Sequence, residues 1–138
     1  MSNSPQFMHR GPISPAVHGT LDYPLAAVLI VGPLVLHFDD DTAKWFIFAV
    51  GIAAAVLAVA TAWSHGIVHL IPPVWHGYAD LVATVALIIA PFVLGYSDHA
   101  LPTWFSIVIG AGGLVATLLT RFDSDLPVAM PARPSTAH

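Results

Sequence analysis

His18-Gly19-Thr20-Leu21-Asp22 recurs as His76-Gly77-Tyr78-Ala79-Asp80, and both ends of the motif shift by 58 positions. The same shift carries Pro15 onto Pro73, Pro33 onto Pro91, Leu36 onto Leu94, Phe38 onto Tyr96 and Asp40 onto Asp98. One residue is then inserted. At a shift of 59, Trp45-Phe46 meets Trp104-Phe105, Gly51 meets Gly110 and Thr61 meets Thr120. A fixed period of this length marks a duplicated structural unit. Each copy holds two apolar runs, so the unit is a pair of helices.

Composition sets the class. The chain has 138 residues, of which 57% are hydrophobic and 9% charged, and its mean hydropathy is +0.78. A soluble domain needs far more charge to cover its surface. The absence of cysteine excludes a disulfide framework, a thiolate metal site and a thiol nucleophile. Eight acids, all Asp, stand against 4 Lys+Arg, for a formal charge of −4. No basic patch exists, so nucleic acid is not a partner this chemistry suits. Met1 to Ser14 carries a single Arg and no apolar core, and does not read as a cleaved signal peptide.

Residues 1–13 read as a polar tail. Ser14-Pro15 is a helix-start signal, because Ser caps and Pro suits the first helical position. The first repeat spans 14–64, with one helix reaching about Phe38 and a second run from Trp45 to Ser64, separated by Asp39-Asp40-Asp41 as a solvated loop. A connecting turn covers 65–72. The second repeat spans 73–122, with a helix from Pro73 to about Tyr96 and a run from Thr103 to Thr120. The proline-containing stretch 123–138 is expected to be disordered.

Four apolar runs near 20 residues each match four membrane-spanning helices. None has the polar face of a soluble bundle helix. The expected fold is therefore all-α: an integral membrane four-helix bundle of two tandem two-helix repeats, with the lipid bilayer as its solvent. Trp45 and Trp104 fall at one end of the runs and Trp63 and Trp75 at the other, as aromatic belts do. Arg10, Arg121 and Arg133 lie on the side of the termini and Lys44 on the opposite side. The positive-inside rule then places both termini in the cytoplasm. An even number of spans per repeat puts the pseudo-twofold axis along the membrane normal.

The duplicated motif carries the candidate chemistry. Between Asp22 and Asp39 there are 16 residues, and between Asp80 and Asp98 there are 17, without Asp, Glu, Lys or Arg. At 1.5 Å per residue this is about 24–26 Å, short of a hydrocarbon core of roughly 30 Å. Asp22 and Asp80 are thus expected about one turn inside the boundary, where a carboxylate needs a partner. His18 and His76 precede them by one helical turn and share their faces. Gly19 and Gly77 allow close approach of a backbone or a ligand. His65 and His69 lie on the same side, spaced i, i+4. His18, His65, His69, His76, Asp22 and Asp80 are the candidate metal or haem ligands, since imidazole and carboxylate suit zinc, copper or iron and paired histidines suit haem. The same residues suit a hydrogen-bond network tying the repeats together, or a proton or substrate path. His37 and His99, at the opposite end, read as solvated.

Two further patterns concern packing. Gly51 with Ala55, and Ser106 with Gly110, place small residues one turn apart where helices can approach closely. Pro33 and Pro91 each remove a helical hydrogen bond, so a kink is expected at each.

Ala90-Pro91-Phe92-Val93-Leu94-Gly95-Tyr96-Ser97-Asp98, followed by Trp104 and Gly110, resembles the repeat of the SPW-repeat family of bacterial integral membrane proteins. That family takes its name from a Ser-Pro-Trp triplet, which here reads Ala90-Pro91-Phe92 and Gly32-Pro33-Leu34. The resemblance covers about residues 14 to 122. It implies the membrane fold and a bacterial inner-membrane setting, and carries over no catalytic residues. The functional expectation is a non-enzymatic scaffold or accessory subunit, as a homo-oligomer or within a larger membrane complex. The rival expectation is a redox protein holding haem or a divalent metal at the cytoplasmic face.

Overall fold

The computed structural model describes residues 11–64 and 66–122. The chain forms α1 Pro15–Val35, α2 Asp41–Ala60, α3 Pro73–Val93 and α4 Ala100–Leu119. The tail expectations for residues 1–10 and 123–138 lie outside the described residues. Each helix has 20 or 21 residues, about 30 Å at 1.5 Å per residue, which matches the hydrocarbon thickness of a bilayer. All four are long and apolar enough to cross a membrane. Helix α1 packs mainly on α2 and α3 mainly on α4, so the bundle is two helix pairs.

Local chemistry sets the helix ends. Ser14 accepts a hydrogen bond from the Val17 amide at 3.3 Å and Pro15 occupies the first helical position. Helix α2 begins at Asp41, ahead of the expected Trp45, because Asp40 accepts from the Ala43 amide at 2.7 Å and caps it. The expected solvated aspartate loop is thus a cap and two ion pairs: Asp41 meets Lys44 at 2.6 Å and Asp39 meets His99 at 3.0 Å.

Both prolines sit in the last turn. Helix α1 stops at Val35 and α3 at Val93, two residues past Pro33 and Pro91. His37 (φ 51°) and Gly95 (φ 82°) then turn left-handed. The next amides, of Phe38 and Tyr96, donate back to the Pro33 and Pro91 carbonyls at 3.2 and 3.0 Å. This six-to-one bond closes a Schellman cap, with a buried aromatic just beyond it. The missing amide of Pro91 frees the carbonyl of Leu87, and Ser106 of α4 donates to it at 2.8 Å. The single Ser106 proton being used there, Tyr96 Oη is the donor in its 3.0 Å contact with Ser106 Oγ.

The packing is that of a membrane bundle. Val28, Val56, Val82, Phe92, Val108 and Val115 face outward, while His18, His76, Thr61, Thr120 and Ser106 are buried. Without a hydrophobic drive between helices, close approach and internal polar contacts hold the spans together. Gly51 lies against Leu29 and Ile30 of α1, and Gly110 against Thr84, Leu87 and Ile88 of α3. Ala55 is half-buried on α2. A core of Leu29, Phe38, Ile47 and Leu87 joins the pairs nearer the loop end.

Candidate functional site

The duplicated motifs meet at one end of the bundle. Helices α1 and α3 both start there, so His18, Asp22, His76 and Asp80 lie in their first two turns. His18 Nε2 is 2.9 Å from Asp80 Oδ2 and 3.4 Å from Asp22 Oδ1. His76 Nε2 is 3.2 Å from Asp22 Oδ2 and 3.0 Å from Asp80 Oδ2. One ligand atom from each of the four residues lies within 4.8 Å of the other three. His18, Asp22 and His76 are buried, with 1% exposure at His76, and Asp80 is partly buried with 17% of its side chain exposed.

The opposite nitrogens are held by threonines. His18 Nδ1 meets Thr120 Oγ1 at 2.8 Å and His76 Nδ1 meets Thr61 Oγ1 at 2.8 Å. Each hydroxyl already donates to the carbonyl one turn back, Thr61 to Leu57 at 2.6 Å and Thr120 to Ala116 at 2.7 Å. A hydroxyl has one proton. Both imidazoles must therefore donate through Nδ1–H, and both Nε2 atoms turn toward the carboxylates.

The contacts obey the duplication and cross it. His18 of the first repeat reaches Asp80 and Thr120 of the second, and His76 of the second reaches Asp22 and Thr61 of the first. The backbone does the same. Ile13 pairs with Leu119 and Arg121 at 3.0 Å each, and Ile71 pairs with Ala60 and Ala62 at 2.9 and 2.8 Å. Residues 11–13 are thus partly fastened to the bundle end, where the sequence suggests a loose tail.

Two aromatic rings close the site. Trp63 packs on Gly19 and lies 4.2 Å, ring to ring, from His76. Phe122 packs on Gly77 and lies 5.2 Å from His18. Trp63 is fully buried, so it does not belong to the interface belt expected for it, whereas Trp45, Trp75 and Trp104 are exposed. What approaches the two motif glycines is a ring, not a backbone or ligand. Thr61, Thr120, Trp63 and Phe122 were not among the expected site residues. Their signal is the shift of 59, which carries Thr61 onto Thr120 and Trp63 onto Phe122.

Of the remaining candidates, His69 is not brought to the tetrad, and its Nε2 lies 3.1 Å from the Trp63 carbonyl. His65 lies outside the described residues. On the bundle side of the tetrad lies a cavity of about 60 Å³, lined by Leu25, Leu29, Thr84, Leu87, Ile109 and Thr117. It has room for a few waters and none for a porphyrin. The two imidazoles stand edge to face with centroids 5.8 Å apart, which leaves no slot for a haem between them.

Four apolar spans around a buried polar tetrad define a multi-pass membrane protein with its ionisable groups turned inward. A family model for the SPW repeat domain matches residues 16–120, and the chain belongs to that family. No curated protein and no solved structure matches it.

Proposed function

We propose that the protein is a non-enzymatic membrane unit, a scaffold or accessory subunit that works as a homo-oligomer or inside a larger complex of the bacterial inner membrane. The observation that carries this reading is the direction of the tetrad's contacts. His18 and His76 each reach an aspartate and a threonine of the other repeat. The buried polar groups of the motif are spent on joining the repeats. The outward faces of the four helices remain apolar and are left to lipid and to partner helices.

Arg121 at the tetrad end and Lys44 at the other, with Arg10 and Arg133 on the termini, support a cytoplasmic tetrad. A reporter active only in the cytoplasm, fused after His138, is expected to work; activity of a periplasm-only reporter there overturns the orientation. Association is read by native mass spectrometry from mild detergent, where species heavier than the 14.6 kDa chain are expected. Gly51 and Gly110 are occupied within the repeats, so the test substitution is Gly112→Trp, at a position open to the outside. A monomer in both proteins, with no co-purifying subunit, sinks the reading. The rival haem reading has no support in the geometry, for want of space.

A further inference from the structure

We propose that His18, Asp22, His76 and Asp80 form a buried four-ligand site for a divalent transition-metal ion, with zinc the best match. The inference uses the residues that join the repeats, but does not rest on the accessory-subunit reading.

Proton accounting leads to it. Thr61 and Thr120 each spend their proton on a backbone carbonyl and so must accept from the imidazoles. Each neutral ring then carries a bare lone pair on Nε2. Two such nitrogens and two carboxylates face one another, and of their contacts only His18 Nε2 to Asp80 Oδ2, at 2.9 Å, has hydrogen-bonding geometry. A proton, on a ring or on a carboxyl, or a cation must stand there.

Two observations favour the cation, and a third is compatible with it. First, His76 Nε2 and Asp22 Oδ2 are buried without a partner in hydrogen-bonding geometry, although they are 3.2 Å apart. A proton on His76 would not point at either carboxylate, whereas a central ion needs only the lone pair. Second, the imidazole–carboxylate separations run from 2.9 to 3.4 Å, counting either oxygen of Asp22, and one donor atom from each residue lies within 4.8 Å of the other three. A tetrahedral ion with bonds of about 2.0–2.1 Å sets neighbouring ligand atoms about 3.3 Å apart. Third, two carboxylates carry two negative charges, and a divalent ion cancels them as protons on both rings would, so charge balance in the span is met.

The surroundings match those of a metal centre. Ligating histidines almost always donate their other N–H to a fixed acceptor, which sets tautomer and ring orientation. Thr61 and Thr120 fill that role here. Imidazole and carboxylate donors without thiolate suit zinc and its divalent first-row neighbours. Two ligands come from each repeat, so the ion would fasten α1 to α3 at the pseudo-twofold.

The full-length, untagged protein in mild detergent is stripped with a chelator, reloaded with Zn2+ and desalted. Elemental analysis is expected to find one zinc per chain, and the loaded protein should melt higher than the stripped one. Co2+ in place of Zn2+ should give the strong visible absorption of a four-coordinate ion. The near-isosteric Asp22→Asn with Asp80→Asn should fold yet lose the melting response to Zn2+. Thr61→Val, which removes an outer partner only, should weaken binding about 10–100-fold. His69→Ala should bind as wild type. An unchanged melting temperature on adding Zn2+ overturns the proposal. So does wild-type affinity in the double Asn variant, because the ion is then held elsewhere on the chain. Neither failure touches the accessory-subunit reading, which is decided by subunit mass and not by metal content.

Discussion

Trp63 rests on Gly19 so closely that a Cβ at that glycine would stand 2.9 Å from the indole, and Phe122 rests on Gly77 with a corresponding distance of 2.8 Å. Each ring then covers the histidine of the other repeat. The repeats are thus interlocked by a glycine, a ring and an imidazole at each of two equivalent places.

Gly19→Ala and Gly77→Ala should therefore destabilise the bundle. The added methyl forces a fully buried ring to shift, and overpacking of this kind costs about 1–3 kcal/mol. Gly112→Ala is the control: nothing lies within 4 Å of its Cβ, and alanine is the better helix former by about 1 kcal/mol. Thermal unfolding in detergent should lower the melting temperature for the first two and leave it level or higher for the third. Equal losses in all three would mean that the rings do not set the spacing.

The second repeat contains a polar bridge where the first has hydrocarbon. Tyr96 and Ser106 take the places of Phe38 and Ile47. Ser106→Ala should leave the Leu87 carbonyl and the Tyr96 hydroxyl without their partner, at about 1–3 kcal/mol for a buried unsatisfied group. Tyr96→Phe removes only a donor and should cost less. In the double substitution the loss should fall below the sum of the singles, since both remove one bond. Additive losses would show that the 3.0 Å contact between the two hydroxyls carries no energy.

At the loop end, His99 and Asp39 join the two repeats in water. Their hydrogen bond holds His99 above its ordinary value of 6.5 and Asp39 below its ordinary 3.8. The raised histidine stabilises the fold fully below 6.5, and that contribution is lost as pH rises through its folded value. The lowered aspartate stabilises above 3.8, and that contribution is lost as pH falls through its folded value. Both act together only between these limits. His99→Gln should lower the melting temperature most in that window and make no difference at alkaline pH. Added salt should shrink the effect, because the pair is exposed. A difference between the two proteins that does not vary with pH would sink the ion-pair account.

The repeat, the four spans and the pairing of His18 with Asp22 and His76 with Asp80 were legible in the sequence, since each is a matter of period and local spacing. The crossing of partners was not. Nothing in the order of residues says that His18 meets Thr120, because that contact depends on how one repeat docks on the other. Trp63 was misplaced for a related reason. A tryptophan at a span end fits an interface belt on composition alone, and only the bend of the chain after α2 buries it. Pro33 and Pro91 lie in the last turn of α1 and α3, and the left-handed His37 and Gly95 turn the chain just beyond them.

The tetrad makes the last prediction, which holds whether protons or an ion join its members. Asp80 touches both histidines, at 2.9 and 3.0 Å. Asp80→Ala should leave His18 Nε2 without its hydrogen-bond partner, at about 1–3 kcal/mol, and take away the carboxylate beside His76. His76→Ala removes contacts to Asp22, Asp80 and Thr61 at once. Because the two are in contact at 3.0 Å, the double variant should lose less stability than the two singles added together, with a coupling of about 0.5–3 kcal/mol. Thr61→Val is the finest cut. It keeps the shape, removes the acceptor of the His76 Nδ1–H and lets the ring adopt the other tautomer. Thr61→Ser keeps the hydroxyl and should stay close to wild type in melting temperature, well above Thr61→Val. If valine and serine at 61 prove equally stable, the hydroxyl does not set the imidazole tautomer, and the proton accounting at the tetrad fails with it.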